Sequence, residues 1–238
     1  MLRAIAVLIF SLLVNVAHAF VAEPEPKLSS REALKPFNVL VGKWNASGVP
    51  EGTAEKKQDG HWTEVLDWSW KFKGDDAWIV VTFDKGKYFK SGELHSLPKP
   101  NAFRLKIETT DKRTLTYEGE LKESYLTLER VDETTKQTER LVFALLHSNR
   151  ITYRGEVKPE GKTFFTKLYR VGATKDGEPL VSTGFNEKEC VVSGGQGAGT
   201  VIYKGKTYYV CCSGCRDAFN ESPEKFVAEF EAKRAKQK

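Results

Sequence analysis

From Val41 onward the chain alternates short stretches rich in Trp, Phe, Tyr, Val, Ile and Thr with polar turns. The stretches run over residues 62–72, 78–83, 103–109, 115–121, 125–131, 140–146, 151–157 and 164–171, and each has the composition and length of a β-strand. The turns at 110–113, 147–150 and 158–162 are short enough to join antiparallel neighbours and far too short for parallel crossovers, which excludes parallel α/β folds. With roughly eight to ten strands in succession, an open sheet would leave two edges exposed, and closure into an up-and-down barrel removes both. A β-sandwich is the structural competitor. Ahead of the strands, Ser29 and Glu32 match a capping box, and Ala33, Leu34 and Phe37 suggest a short plug or lid helix limited by Pro36.

The N-terminus reads differently. Met1-Leu2-Arg3 is followed by a mostly apolar stretch over 4–17 and by Ala17-His18-Ala19, the small-x-small form of a signal-peptidase site. Asn15 and His18 interrupt a run already too short to span a bilayer. The expectation is a signal peptide over 1–19, a charged leader over 20–29 containing Glu23-Pro24-Glu25-Pro26, and a secreted or periplasmic chain with no membrane span after cleavage. No cysteine lies near the cleavage site to accept a lipid anchor.

The 238 residues carry 37 basic and 32 acidic side chains, a net charge of +5 without a run of like charges, so no nucleic-acid partner is expected. There is no G-x-S-x-G, H-E-x-x-H, P-loop or glycine-rich dinucleotide fingerprint, and the chain is not expected to be an enzyme. His61, His95 and His147 read as surface or loop residues, and Asp75-Asp76 as a solvated turn.

Residues 30–44, SREALKPFNVLVGKW, resemble the entry of lipocalin-like barrels, where a short helix leads into a G-x-W strand, with Gly42 and Trp44 at those positions. The resemblance extends over residues 30–172. It implies that Trp44 closes one end of the barrel and that the interior offers a cavity for a small apolar ligand. Nitrobindin-like barrels begin similarly and bind haem, but none of the histidines has a haem-binding context here.

All four cysteines, Cys190, Cys211, Cys212 and Cys215, follow a stretch of 189 residues without any. Turn-rich residues 173–187 read as a linker and 188–238 as a separate small module. Within it, 200–203 and 207–211 read as strands joined by Lys204-Gly205-Lys206, 216–219 as a helical turn, and 223–233 as a helix with Phe226, Phe230 and Ala235 roughly on one side.

The segment 188–230 resembles the YHS and TRASH group of metal-binding domains. It carries Glu189-Cys190-Val191-Val192-Ser193-Gly194-Gly195, then Tyr203-Lys204-Gly205-Lys206-Thr207-Tyr208-Tyr209-Val210-Cys211-Cys212-Ser213-Gly214-Cys215, then Phe219 and Ser222-Pro223-Glu224-Lys225-Phe226. The spacing of Cys190, Cys211 and Cys215 is that of the group's proposed ligands, while Val191 stands where relatives usually have Pro.

Elementary chemistry points the same way. A hairpin ending in one cysteine and a helix start carrying another bring two sulfurs together, and a cysteine before the hairpin can close the site. Three thiolates suit Zn2+ or Cu+ far better than magnesium or calcium. A helix N-terminus favours the Cys215 thiolate. Alternation along a strand sets Cys211 ahead of Cys212, although the Cys212/Cys215 pair has knuckle-like spacing. Asp217 or an open position would complete the set. Disulfides are the competing reading, since an exported small module benefits from staples. The sequence thus predicts an exported zinc or copper carrier, sensor or scavenger. The alternative is a lipocalin-like carrier of a small apolar ligand with a disulfide-stapled tail.

Overall fold

The computed structural model describes residues 28–147, 149–177 and 188–236. The expected signal peptide, most of the expected leader and residues 178–187 of the expected linker therefore lie outside the described residues. Ten strands follow one another: β1 (Gly42–Pro50), β2 (Trp62–Lys73), β3 (Asp76–Asp84), β4 (Phe89–Ser96), β5 (Ala102–Thr109), β6 (Thr114–Lys122), β7 (Tyr125–Val131), β8 (Thr138–His147), β9 (Arg150–Lys158) and β10 (Thr166–Lys175). Each pairs antiparallel with its neighbour in sequence, and β1 closes the barrel on β10, with Trp44 opposite Lys175 and Gly48 opposite Val171. Closure leaves no unpaired edge, and the sandwich is excluded. The last strand continues beyond residue 172 to Lys175 because its end pairs with the start of β1.

Alternation sets the interior. Glu64, Leu66, Trp68 and Trp70 of β2 and Ala77, Ile79, Val81 and Phe83 of β3 are buried, while the residues between them are more exposed. Aromatic rings pack edge-on and stacked across the barrel, Trp68 on Phe143 at 6.0 Å and Phe143 on Tyr153 at 5.5 Å.

One end is plugged. Helix α1 (Ser30–Leu34) starts where the Ser29 hydroxyl accepts the Glu32 N–H, and a 3-10 helix over Lys35–Leu40 takes over at Pro36. Leu34, Phe37 and Leu40 are fully buried, and burial of each contributes about 1.5–3 kcal/mol. The Trp44 indole donates to the Leu40 carbonyl at 2.6 Å, and the Lys175 ammonium lies 5.4 Å from its ring. Trp44 thus sits at the plugged end. The short helix α2 (Ala54–Asp59), capped by Thr53, lies between β1 and β2 and buries nothing.

The C-terminal segment forms a hairpin, β11 (Gly199–Tyr203) and β12 (Lys206–Val210), and two helices, α3 (Ser213–Glu221) and α4 (Pro223–Ala235). The hairpin turn is the two residues Lys204 and Gly205, both with positive φ (49° and 78°), rather than a three-residue connection. This segment packs on the plugged end of the barrel. Gly214 of α3 lies so close to β2 that a Cβ there would be 1.6 Å from the Trp70 carbonyl oxygen. Arg31 pairs with Glu229 and sits 5.4 Å from the Phe226 ring, and Lys225 pairs with Asp75 at 2.7 Å. Among the described residues no helix is long and apolar enough to cross a membrane.

Candidate metal centre

Cys190 begins a tight turn. Its N–H donates to the Gly195 carbonyl at 2.7 Å, its carbonyl accepts from Gly194 N–H at 2.9 Å, and it forms a parallel bridge with Tyr209 of β12. Gly194 adopts φ +76°, a conformation that favours glycine. Cys211 follows the last residue of β12, so strand alternation does not decide its direction. Cys215 lies in the first turn of α3, which begins at Ser213 with Cys212 as its N-cap.

The Sγ atoms of Cys190, Cys211 and Cys215 all lie within 4.8 Å of one another, with 3.4 Å between Cys211 and Cys215. Their residues are 0%, 7% and 0% exposed. Thiolates bound at about 2.3 Å around a tetrahedral ion stand about 3.8 Å apart, so this triangle fits a thiophilic ion with small side-chain adjustments. All four cysteines are free thiols.

Cys212 stands outside the triangle. It is half-buried, its sulfur is 3.9 Å from that of Cys211, and it accepts the backbone N–H of Trp70 at 3.4 Å. Asp217 does not join the site: it is exposed on α3, two residues beyond Cys215 and therefore on the opposite side of the helix.

Protons are shared within the cluster. Hydrogen bonds from Cys211 and then Cys215 hold both Cys190 and Cys212 well below the ordinary thiol range, while Cys190 and Cys212 hold Cys211 up. Cys215 is also raised, first by burial and then by its sulfur neighbours, contrary to the thiolate expected at a helix N-terminus.

The shell around the sulfurs comes partly from the barrel. The Ser193 N–H donates to Cys190 Sγ at 3.5 Å, and the fully buried Ser193 hydroxyl lies 3.3 Å from Cys211 Sγ. Asn38 Nδ2 donates to the Ser193 carbonyl at 2.9 Å, and Asn38 Oδ1 accepts the Trp70 indole N–H at 3.0 Å. Asn38 lies within the 30–44 barrel-entry stretch and Trp70 in β2, and nothing in either sequence context marked a role at the sulfurs, which arises only from docking. Ser193 was visible in the sequence beside Cys190, but nothing there marked its hydroxyl.

No protein-family profile matches the chain, and no curated protein matches it. One solved structure found by shape is the "Structure of EF1p2_mFAP2b bound to DFHBI", at 10% identity and a TM-score of 0.28, covering 60% of this chain and 98% of that one. The barrel topology accordingly rests on its own strand register.

The other histidines and carboxylates of interest lie elsewhere. His61 Nε2 meets Ser47 Oγ at 2.9 Å, His95 stacks on Trp78 at 5.7 Å, and Asp75 is taken up by Lys225. For His147 only the backbone is described. A concavity of about 630 Å³ occupies the barrel's other end, with Tyr88, Tyr117 and Tyr169 among its lining residues together with Glu139, Arg140 and Leu141. Tyr88 stacks on Tyr169 at 4.2 Å, and the Tyr117 hydroxyl donates to Glu139 at 2.8 Å. The implied apolar cavity is thus a mixed aromatic and charged cleft.

Proposed function

We propose that this chain is an exported metal-binding protein in which Cys190, Cys211 and Cys215 hold one thiophilic ion, zinc or cuprous copper, as cargo or signal. The observation that carries the reading is the convergence of three buried sulfurs from three separate segments within 4.8 Å. Cysteine is an all-sulfur donor set that selects such ions over hard cations. The YHS and TRASH resemblance of the same segment supports it, as does the N-terminal signal pattern for export. The chain binds its ion and performs no catalysis. The residues' contribution is to supply three thiolates, exclude water and fix the sulfurs through N–H and O–H contacts from Ser193.

The test is elemental analysis with a free-thiol count on the mature protein purified without chelator. About one zinc or copper per chain is expected, with thiols that react only after chelation, and Cys215→Ser should lose the metal. Absence of both metal and free thiols would make the cysteines staples and end this reading. A second reading, carriage of a small ligand, is favoured by the tyrosine-lined cleft at the far end of the barrel. Mass spectrometry of small molecules released from the purified protein tests it independently of the cysteines.

A further inference from the structure

An ion held by three buried sulfurs exchanges only if an incoming or departing ligand can reach it. Cys190 and Cys215 are fully buried and Cys211 nearly so. Residues 189–194 line a groove of about 430 Å³ between α1 and α4, together with Arg31, Lys35, Lys233 and Lys236. Arg31, Lys35 and Lys233 are paired there with Glu229, Glu32 and Glu189, and the groove offers an ion no exposed sulfur, because Cys190 is fully buried. The surroundings of Cys212 are different. Cys212, the most exposed of the four, places its sulfur 3.9 Å from Cys211, and its thiol interacts with that of Cys215 as well. The Trp70 N–H fixes that sulfur from the barrel side.

Resting on the metal-binding reading above, we infer that Cys212 is the transfer ligand through which the ion enters and leaves the buried Cys190/Cys211/Cys215 site. The ion is caught first by Cys212 and Cys211 at the rim. It then moves inward as the metal–sulfur bond to Cys212 breaks and the bond to Cys190 forms. The Cys211 thiol gives its proton to solvent on capture, and as Cys215 joins, its thiol proton passes to the freed Cys212 sulfur, so charge is conserved and no oxidation state changes. Cys211 stays bound throughout, and Cys215 joins as the ion reaches the triangle. Release runs the same steps backward, with Cys212 presenting the ion to an acceptor.

The full chain, loaded with one equivalent of zinc or, in parallel, of cuprous copper, is mixed with excess chromogenic chelator and the transfer is followed by stopped flow. Cys212→Ser is expected to keep the wild-type stoichiometry and circular dichroism while transferring metal at least about tenfold more slowly. Cys190→Ser is expected to bind more weakly yet transfer at least as fast as wild type. Transfer by Cys212→Ser within about twofold of wild type would overturn the entry role and leave the metal site standing. Loss of metal from Cys212→Ser would overturn it too, by making Cys212 a resident ligand, and Cys212→Ala run beside it separates that outcome from misfolding. A wild-type chain that takes up neither ion would end both the metal reading and this one.

Discussion

Asn38 accepts the indole proton of the fully buried Trp70 and donates to the carbonyl of Ser193, whose hydroxyl touches Cys211 Sγ. One carboxamide therefore links the barrel core to the sulfur cluster. Asn38→Ala would leave the Trp70 indole N–H and the Ser193 carbonyl without these partners, at a cost of about 1–3 kcal/mol in stability. Loosening Ser193 would also weaken metal binding by about tenfold, as changes to the partners of metal ligands do. Denaturant unfolding and a competitive metal titration check the two effects, and wild-type values in both would show that the link carries no free energy. At this scale the cysteines were legible, because the YHS and TRASH resemblance and the meeting of a hairpin end with a helix start both brought Cys190, Cys211 and Cys215 forward, with Cys212 as the alternative to Cys211. Their protonation was not legible. The helix N-terminus argued for a Cys215 thiolate, whereas burial, which no local sequence pattern reports, raises that thiol. Asn38 was invisible for a related reason: a half-buried amide acquires a role only when two distant segments meet across it.

Among the elements, α3 and β2 meet most closely at Gly214, where a Cβ would fall 1.6 Å from the Trp70 carbonyl oxygen. Backbone resists that displacement more than a flexible side chain would. Gly214→Ala should push α3 off the barrel, cost at least about 2 kcal/mol by overpacking, and move Cys212 and Cys215 relative to Cys190. Urea unfolding measures the loss, and stability within about 0.5 kcal/mol of wild type would mean that α3 does not sit against β2 in this way. The strands rich in aromatic and β-branched residues were all readable, because alternation and composition agree in them. Strand β4 was not: a register shift between Phe89 and Ser91 breaks its alternation, and Gly92, Lys90, Glu93 and His95 dilute its apolar content. Helix α2 buries no side chain, so it left no apolar periodicity to find. The C-terminal hairpin was readable from Lys204-Gly205, while the start of α3 at Ser213 was hidden by two consecutive cysteines that resemble strand residues.

The whole molecule has two unlike ends. Apolar residues of α1 and the 3-10 helix fill the plugged end, beside which the cysteine module docks, whereas phenols and carboxyls are buried toward the open one. There Glu64 accepts from the Tyr153 hydroxyl and, at 3.2 Å, from the Trp62 indole. Burial pushes the Tyr153 phenol far above its ordinary value, with the Glu64 charge adding to it, and burial does the same for Tyr169. Tyr117 is raised by burial and then by Glu139. These phenols hold their protons more tightly folded than unfolded. Their contribution is therefore complete below the unfolded value of about 10, and it declines as pH rises past that value toward the higher folded ones. The urea midpoint should thus fall between about pH 9 and about pH 11, with tyrosinate absorbance from the buried phenols appearing together with loss of the barrel's circular dichroism. Tyr153→Phe removes both the phenol and its bond to Glu64. It should lower stability at neutral pH by about 1.5–3 kcal/mol, as loss of a hydrogen bond to a charged group does, and should flatten the alkaline decline. A midpoint independent of pH over that range would show that these phenols are solvated in the folded chain, and the open end would then be a wet mouth rather than a packed one.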